Sequence, residues 1–227
     1  VKPYKDELTF ARYGLWHYVI KEKCRQEPYA SLQRAGANLR GLIRVLLFKR
    51  FESSVYAFKE TVGKLLIVHE RFVQALTQGF VPAGEEAQSI LYEPNQDEEQ
   101  ELMDALRKVS GKYNASDFDI ERLKEHIEHD IALYKKILGL VEPITPEQDA
   151  KLQTLNMWLR KALFQNGKCL IFTQYADTAI FLERELRSQG LTHTAFATGS
   201  STDPTELACR FSPESNGKKI SPDKELR

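Results

Sequence analysis

Two short polar segments of this sequence carry the groups with which proteins hold phosphates. Thr173 and Gln174 follow one short apolar run, and Thr198, Gly199 and Ser200 follow another. Hydroxyls, a side-chain amide and a glycine N–H can bind phosphate oxygens without reading bases. If both runs are parallel strands, these residues lie at the carboxyl ends, where doubly wound sheets bind ligands. The five residues are therefore predicted phosphate contacts, with ordinary turn chemistry as the alternative.

A basic stretch without any acidic residue precedes them in the chain. It runs from Arg34 to Arg50 and includes Arg40, Arg44 and Lys49. Such a stretch can meet the phosphate backbone of a nucleic acid. We predict that Arg40, Arg44 and Arg50 make such contacts. The alternative is that they solvate the outer face of a helix or pair with an acidic loop.

An ATP site is not encoded in these residues. A P-loop ends in Gly-Lys followed by Ser or Thr, whose hydroxyl holds magnesium. The Gly-Lys pairs at Gly63, Gly111, Gly167 and Gly217 are followed by Leu, Tyr, Cys and Lys. We therefore expect that this chain alone binds neither ATP nor magnesium.

Other catalytic or metal-binding patterns are equally weak. Residues 97–100 (DEEQ) have the letters of a DExx box but follow a polar segment instead of a buried strand. His126 and His129 are one helical turn apart, but no further ligand cluster has suitable spacing. Cys169 lies within an apolar run, where cysteine is usually inert. We predict no catalytic residue and no metal ligand.

Long helices dominate the first part of the chain. Residues 31–78 are predicted to form one helix, in which apolar or aromatic side chains from Phe48 to Leu76 alternate at spacings of three and four as a heptad seam. A second helix is predicted from Ser116, with Asp119 completing a capping box. Its apolar stripe would pair with the first helix as an antiparallel protrusion. The seam comprises Phe48, Phe51, Val55, Phe58, Val62, Leu65, His69, Phe72 and Leu76, and the stripe comprises Ile120, Leu123, Ile127, Ile131, Tyr134 and Leu138.

The pattern changes near Thr145, which resembles a helix N-cap before Pro146. Apolar runs at 169–173 and 194–197 read as parallel strands, separated by a helix over 176–189. Two parallel strands are too few for a stable sheet. We therefore expect a mostly α protein with a partial α/β piece, in which a truncated parallel sheet follows the helical protrusion.

Bulk composition excludes several classes. The 227 residues contain 32 basic and 32 acidic side chains, so the chain is not a globally basic nucleic-acid binder. The odd count of three cysteines disfavours a disulfide framework and fits a reducing compartment. No apolar run is long enough to span a membrane and no signal peptide is recognisable. We expect a cytoplasmic protein whose two ends are cut from a longer chain.

Four segments in the second half of the chain resemble a known family. Residues 168–175 (KCLIFTQY), followed by a helix ending at 186–190 (LRSQG), are similar to motif IV of Swi/Snf-type ATPases of helicase superfamily two. Residues 198–200 (TGS) resemble the short Gly-containing motif that comes next. Residues 210–216 (RFSPESN) resemble a Phe-Ser-Pro…Asn segment of a bacterial branch of that family.

Two upstream segments resemble the helical insertion between the RecA-like lobes in the same branch. These are residues 39–42 (LRGL) and 47–54 (LFKRFESS). The resemblance implies that 1–144 form this insertion, and that 145–227 form the N-terminal part of the second RecA-like lobe.

The same resemblance implies a role. The whole protein would hydrolyse ATP with magnesium between its two lobes and move along duplex nucleic acid, with DNA as the expected duplex. This chain would contribute a helical brace and phosphate contacts through Thr173, Gln174, Thr198, Gly199 and Ser200. Its expected partners are the duplex, the remaining motor lobes and a second copy bound through the exposed sheet edge, with no membrane.

Two alternatives stay open. The helical part could be a protein-interaction module of a degenerate or non-motor protein. The chain could also belong to a different superfamily-two enzyme, such as a restriction-type motor subunit. A Gly-Lys-Thr motif and an Asp-Glu-x-His motif in residues preceding this sequence would favour a motor over a binding module.

Overall fold

Helices account for the regular structure of residues 6–92, 99–161 and 167–226, which this computed structural model describes. Short 3-10 helices cover Ala11–Tyr13, Leu15–Tyr18 and Ala115–Asp117. The α-helices are α1 (Tyr29–Ser53), α2 (Val55–Thr77), α3 (Glu85–Leu91), α4 (Glu99–Ser110), α5 (Ile120–Val141), α6 (Ala150–Leu159), α7 (Ala176–Ser188) and α8 (Pro204–Phe211). The prediction of a mostly α protein is confirmed.

The chain divides into two compact units. Unit 1 comprises Val1–Phe48 and Thr61–Leu140, and unit 2 comprises Lys49–Glu60 and Val141–Arg227. Unit 2 therefore includes a short stretch from the middle of the helical region. The functional boundary predicted between residues 144 and 145 remains a prediction.

The core of unit 1 is built on the apolar faces of α2 and α5. Leu123, Ile127 and Tyr134 of the predicted stripe are fully buried, as is Phe72 of the predicted seam. The α2 and α5 helices contact each other where the His69 and Tyr134 rings lie 5.0 Å apart. Periodicity of apolar residues thus identified the inner faces of both helices.

One continuous helix over residues 31–78 is wrong, because the chain breaks between α1 and α2. Ser54 accepts a hydrogen bond through its Oγ from the N–H of Ala57 at 3.0 Å, which is the geometry of an N-cap. The first part of the predicted seam is also not buried, since Phe48 is 66% exposed and Phe51 is 49% exposed. A hydroxyl inside an apolar repeat therefore starts a new helix.

The capping box predicted at Ser116 is wrong as well. Asp119 itself caps α5, accepting a hydrogen bond from the N–H of Arg122 through Oδ1 at 3.2 Å. Ser116 lies in the preceding 3-10 helix, where its N–H donates to Asn114 Oδ1. The carboxylate of Asp119 is the better partner for the free N–H groups of the first helical turn.

The prediction of a truncated parallel sheet is wrong for the described residues, none of which forms a strand. Residues 169–173, predicted as a buried strand, and 194–197, predicted as a second parallel strand, carry no ladder. Within the first run Leu170 is 64% exposed and Phe172 is 89% exposed. Strand propensity depends on burial and on a neighbouring strand, and neither run has such a neighbour here. The described residues therefore form no sheet whose edge could support the predicted self-association.

None of the described helices combines the length and apolar character needed to cross a bilayer.

Candidate nucleic-acid interface

The candidate interface lies in unit 2, where the end of α1 meets the start of α7. Arg50 Nη1 lies 2.7 Å from Asp177 Oδ2. The guanidinium carbon of Arg50 also lies 4.1 Å from the ring centroid of Tyr175, within cation–π distance. About one quarter of each ion-paired side chain is exposed. Arg50 therefore anchors the first turn of α7.

A group of hydroxyls joins the same two segments. Thr178 Oγ1 lies 2.9 Å from Ser53 Oγ and 3.1 Å from Ser54 Oγ. Ser53 Oγ also lies 3.4 Å from the hydroxyl of Thr173. Ser54 and Thr178 are buried, so these contacts satisfy polar groups that water does not reach. The hydroxyl group links the α1–α2 junction to the segment that leads into α7.

Aromatic and basic side chains extend this contact along α2 and α7. The rings of Tyr56 and Phe181 stack with an interplanar angle of 6° and centroids 4.9 Å apart. The guanidinium of Arg184 lies 5.0 Å from the Tyr56 ring centroid. A hydrogen bond from Arg184 to Glu185 raises the pKa of Arg184, so Arg184 stays positively charged. The stack holds α2 against α7.

Two lysines of unit 2 donate hydrogen bonds to backbone carbonyl oxygens. Lys151 Nζ donates to the carbonyl oxygens of Glu52 at 2.7 Å and Ser53 at 3.0 Å. These carbonyls belong to the last turn of α1, whose C=O groups lack helical partners and favour a cation. Lys59 Nζ donates in the same way to the carbonyls of Glu142 and Ile144.

Gln174 is the most accessible of the predicted phosphate contacts before α7. Its side chain is exposed, whereas Thr173 is half-buried. The Thr173 hydroxyl lies 3.4 Å from the N–H of Tyr175, in addition to its contact with Ser53. The side-chain amide of Gln174 can therefore donate to a phosphate oxygen while Thr173 shapes the turn.

The second predicted segment, Thr198 to Ser200, forms a self-contained turn. The Thr198 N–H donates to Ser201 Oγ at 2.8 Å, and the two hydroxyls of Thr198 and Ser200 lie 3.0 Å apart. The Ser200 N–H points to Thr198 Oγ1 at 3.3 Å. Among the described residues the N–H of Gly199 has no partner, and a Cβ at Gly199 would meet open space. Gly199 is thus the free backbone donor of this turn.

The two arginines of unit 1 differ from each other. Arg44 is exposed on α1. Arg40 is half-buried against the backbone of Gly14, where a Cβ would collide with its guanidinium. Burial, and then the charge of Arg40, lower the pKa of His17. The guanidinium of Arg44 is therefore accessible to a phosphate outside the protein, whereas that of Arg40 lies against other residues of the protein.

The structure therefore brings together some of the residues that the sequence predicted. Arg50 and Thr173 belong to one connected set of contacts in unit 2. No hydrogen bond among the described residues joins that set to the turn at 198–200. Sequence reasoning missed Asp177 and Thr178 as partners of α1. The pair of serines between Phe51 and Val55 could have indicated the helix break, but no signal in the sequence identifies Asp177 and Thr178 as their partners.

Other candidate chemistry is not assembled in the part of the chain that the structure describes. No group of three His, Cys, Asp or Glu side chains there could hold a metal ion. His126 Nδ1 hydrogen-bonds to the Tyr18 hydroxyl at 2.7 Å, and His129 Nε2 bonds to the carbonyl of Glu7 at 3.0 Å. Cys169 is half-buried and free. In the DEEQ segment, residues 97 and 98 lie outside the described residues, and Glu99 begins α4.

Comparison with known proteins gave no relative. No protein-family model, no curated protein and no solved structure matches this chain.

Proposed function

We propose that this chain is one segment of an ATP-dependent, Swi/Snf-type translocase that acts on duplex nucleic acid, with DNA as the expected duplex. The chain supplies a helical brace and part of the grip on the phosphate backbone. ATP and magnesium would be bound by other residues of the motor, since this sequence has no Walker A motif. The free cysteines suit a reducing cytoplasm.

One observation carries this proposal. Two of the segments that resemble the family, 47–54 and 168–175, are about 120 residues apart in sequence but meet in unit 2. Arg50 of the first segment stacks on Tyr175 of the second, and Ser53 contacts Thr173. Side chains that define the resemblance are thus also the ones that make the contact, which supports a shared origin in one motor element.

Phosphate binding would use the donors that face solvent. These are the Gln174 amide, the Gly199 N–H and the Arg44 guanidinium. None of the three can distinguish bases, which suits a motor that moves along any sequence. Arg50 holds the turn that carries Gln174 through its contacts with Tyr175 and Asp177.

Fluorescence anisotropy with a labelled DNA duplex at low salt tests the grip. We expect Gln174→Ala to weaken binding by roughly threefold to tenfold, because it removes one exposed hydrogen bond and a typical hydrogen bond contributes about 0.5–1.5 kcal/mol. Arg44→Glu should weaken binding and flatten the salt dependence by about one unit of slope, whereas Arg44→Lys should preserve that slope. Unchanged affinity in Gln174→Ala and Arg44→Glu would mean that these donors are merely solvated.

The free N–H of Gly199 permits a matched pair of variants. Gly199→Ala keeps the N–H and places its methyl group in open space. Gly199→Pro removes the N–H. We expect Pro, but not Ala, to weaken duplex binding, with circular dichroism showing that both variants keep their helices. Equal affinities would exclude Gly199 as a contact.

Motor activity is tested by ATP turnover. The chain alone should show none, with or without duplex. The full-length gene product should hydrolyse ATP and be stimulated by duplex. Absence of stimulation in a folded full-length protein would overturn the motor proposal.

A protein-interaction module is the second candidate, favoured by exposed apolar residues on α1. Leu42, Val45, Leu46 and Phe48 are all more than one third exposed. A helix face of this kind suits a protein surface better than a phosphate backbone. Absent duplex binding, together with no ATP turnover by the full-length product, would favour this candidate.

A further inference from the structure

Unit 1 contains a cluster of polar side chains that is closed off from solvent. We call it the buried polar cluster, and its central members are Arg12, Tyr13, His69 and Tyr134. Arg12 is 1% exposed, and His69 and Tyr134 are 0% exposed. The members come from the first 3-10 helix, α2 and α5. Buried groups of this kind normally have hydrogen-bond partners, so the partner of each polar atom has to be identified.

Arg12 has neutral partners among the described residues. It donates to Gln88 Oε1, to the hydroxyl of Tyr13 and, at 2.6 Å, to the hydroxyl of Tyr92. Its guanidinium carbon lies 4.2 Å from the Tyr13 ring centroid. The Nε–H of Arg12 is buried without a partner in the described part of the chain.

His69 has one ring nitrogen satisfied and one not. Its Nδ1 lies 2.6 Å from the carbonyl oxygen of Leu65, and a carbonyl only accepts, so Nδ1 carries the proton. Burial, and then the nearby charge of Arg12, lower the pKa of His69 to about 3, so the ring is neutral at pH 7. Its Nε2 therefore offers a lone pair, and that atom is buried without a partner among the described residues.

Tyr134 supplies a third unpaired group. Its hydroxyl is buried without a partner among the residues described. The Tyr134 ring lies 5.0 Å from that of His69, which lies 6.4 Å from the Tyr13 ring beneath Arg12. Burial raises the pKa of Tyr134, against the opposing charge of Arg12, so the hydroxyl stays protonated. A donor, an acceptor and a hydroxyl that can do either thus belong to one cluster.

The chemistry of these three groups selects a particular ligand. A small anion could accept from Arg12 and Tyr134 but would face the lone pair of His69. A water molecule can accept from Arg12 and donate to His69 at the same time. Buried waters typically make about three hydrogen bonds to groups that would otherwise be unpaired.

We propose that the buried polar cluster binds an internal water molecule, which accepts from Arg12 Nε–H, donates to His69 Nε2 and hydrogen-bonds to the Tyr134 hydroxyl. This water connects a 3-10 helix near the start of the chain to α2 and α5. It is a structural ligand of unit 1, independent of the nucleic-acid proposal for unit 2. Its removal should be costly because it would leave three buried groups unpaired together.

Tyr134→Phe tests the site, because it deletes one ligand without changing ring size. Oxygen-17 magnetic relaxation dispersion counts long-lived internal waters in solution. We expect the variant to lose one such water, or to hold it with a much shorter residence time. Tyr113→Phe, which removes the same oxygen from a tyrosine outside the cluster, should leave the count unchanged.

Unfolding in urea provides an independent readout. A water-bound hydroxyl contributes to stability, so Tyr134→Phe should raise the unfolding equilibrium constant by roughly fivefold. A truly unpaired hydroxyl is unfavourable, so its deletion would lower that constant or leave it unchanged. An unchanged water count with unchanged or increased stability would overturn the proposal. Saturable stabilisation by chloride or bromide, lost in Tyr134→Phe, would also overturn it and show an anion instead.

Discussion

Arg50 shows how the residues that surround a side chain in the folded protein can give it a role other than the one predicted from composition. The basic stretch predicts a guanidinium that is free for phosphate. Asp177 and Tyr175, more than 120 residues away in sequence, instead occupy it. Nothing in the local sequence shows that contact, because opposite charges can pair at any separation once the chain folds. Arg44, six residues earlier on α1, does remain exposed.

The Arg50–Asp177 pair should contribute measurably to stability. A double-mutant cycle with Arg50→Gln and Asp177→Asn, followed by urea unfolding, should give a coupling free energy of about 0.5–1 kcal/mol. The pair is only partly exposed, which places it at the upper end of surface ion pairs. Arg44→Gln should change the free energy of unfolding by less than about 0.5 kcal/mol. A coupling indistinguishable from zero would remove Arg50 as the anchor of α7.

His69 predicts how stability depends on pH. The folded pKa is about 3, and the unfolded imidazole titrates near 6.5. Between these values the unfolded state binds more protons, so the free energy of unfolding falls as pH falls. From pH 7 to pH 5 we expect a loss of about 2 kcal/mol, which His69→Gln should largely abolish.

Comparison with the variant isolates this effect. Burial raises the pKa of Asp130 in the folded state, which acts in the opposite direction above pH 3.8. Because Asp130 is present in both proteins, its contribution cancels in the difference. Identical pH profiles for wild type and His69→Gln would contradict a neutral, buried His69.

At the scale of the element, Ser54 decides where α2 begins. Its hydroxyl accepts from the N–H of Ala57 and also contacts Thr178. Ser54→Ala should therefore lower the free energy of unfolding by about 1–2 kcal/mol. Ser54→Thr keeps the capping oxygen and should cost less. Equal losses in the two variants would show that the hydroxyl does not act as a cap.

Phe172 tests the correction of the predicted strand. A phenylalanine inside a buried strand would cost about 3–5 kcal/mol when truncated. Phe172 is 89% exposed, so we expect Phe172→Ala to change the free energy of unfolding by less than about 0.5 kcal/mol. Phe181→Ala, at a buried position of α7, is the matched control and should show the full loss. A large loss at Phe172 would restore the buried strand.

The sequence predicted helices better than it predicted the segments between them. The apolar stripe of α5 follows the helical period, so Leu123 and Ile127 could be assigned to the core directly. An apolar run such as 169–173 has no comparable periodicity. A strand is stabilised by a neighbouring strand, and the residues of the run do not specify that neighbour. The candidate interface shows the same limit. The side-chain amide of Gln174 and the backbone N–H of Gly199 identified these residues as candidate phosphate contacts from the sequence. Asp177 and Thr178 could be identified as partners of α1 only from the fold.

At the scale of the whole molecule, residues 49–60 belong with the C-terminal part of the chain. They contribute Arg50, Ser53, Ser54 and Tyr56 to unit 2. We therefore expect residues 141–227 on their own to lack a cooperative unfolding transition. The same residues joined to 49–60 should regain one. A short Gly-Ser linker can join residue 60 to 141, because Lys59 Nζ lies 3.0 Å from the Glu142 carbonyl oxygen.

Circular dichroism during thermal melting measures this difference. The control is the joined protein with Arg50→Gln, Ser53→Ala and Ser54→Ala, which should melt at a lower temperature and less sharply. Cooperative melting of 141–227 alone would show that unit 2 does not need the inserted stretch.

The interleaving of the two units has a consequence for synthesis on the ribosome. Residues 49–60 emerge before the 80 residues from Thr61 to Leu140, which belong to the other unit. At about 5–20 residues per second, the nascent inserted stretch waits roughly 4–16 seconds for its partners. During that interval Tyr56 lacks the Phe181 ring on which it stacks in the folded unit, so we expect a chaperone to bind the growing chain at this stretch.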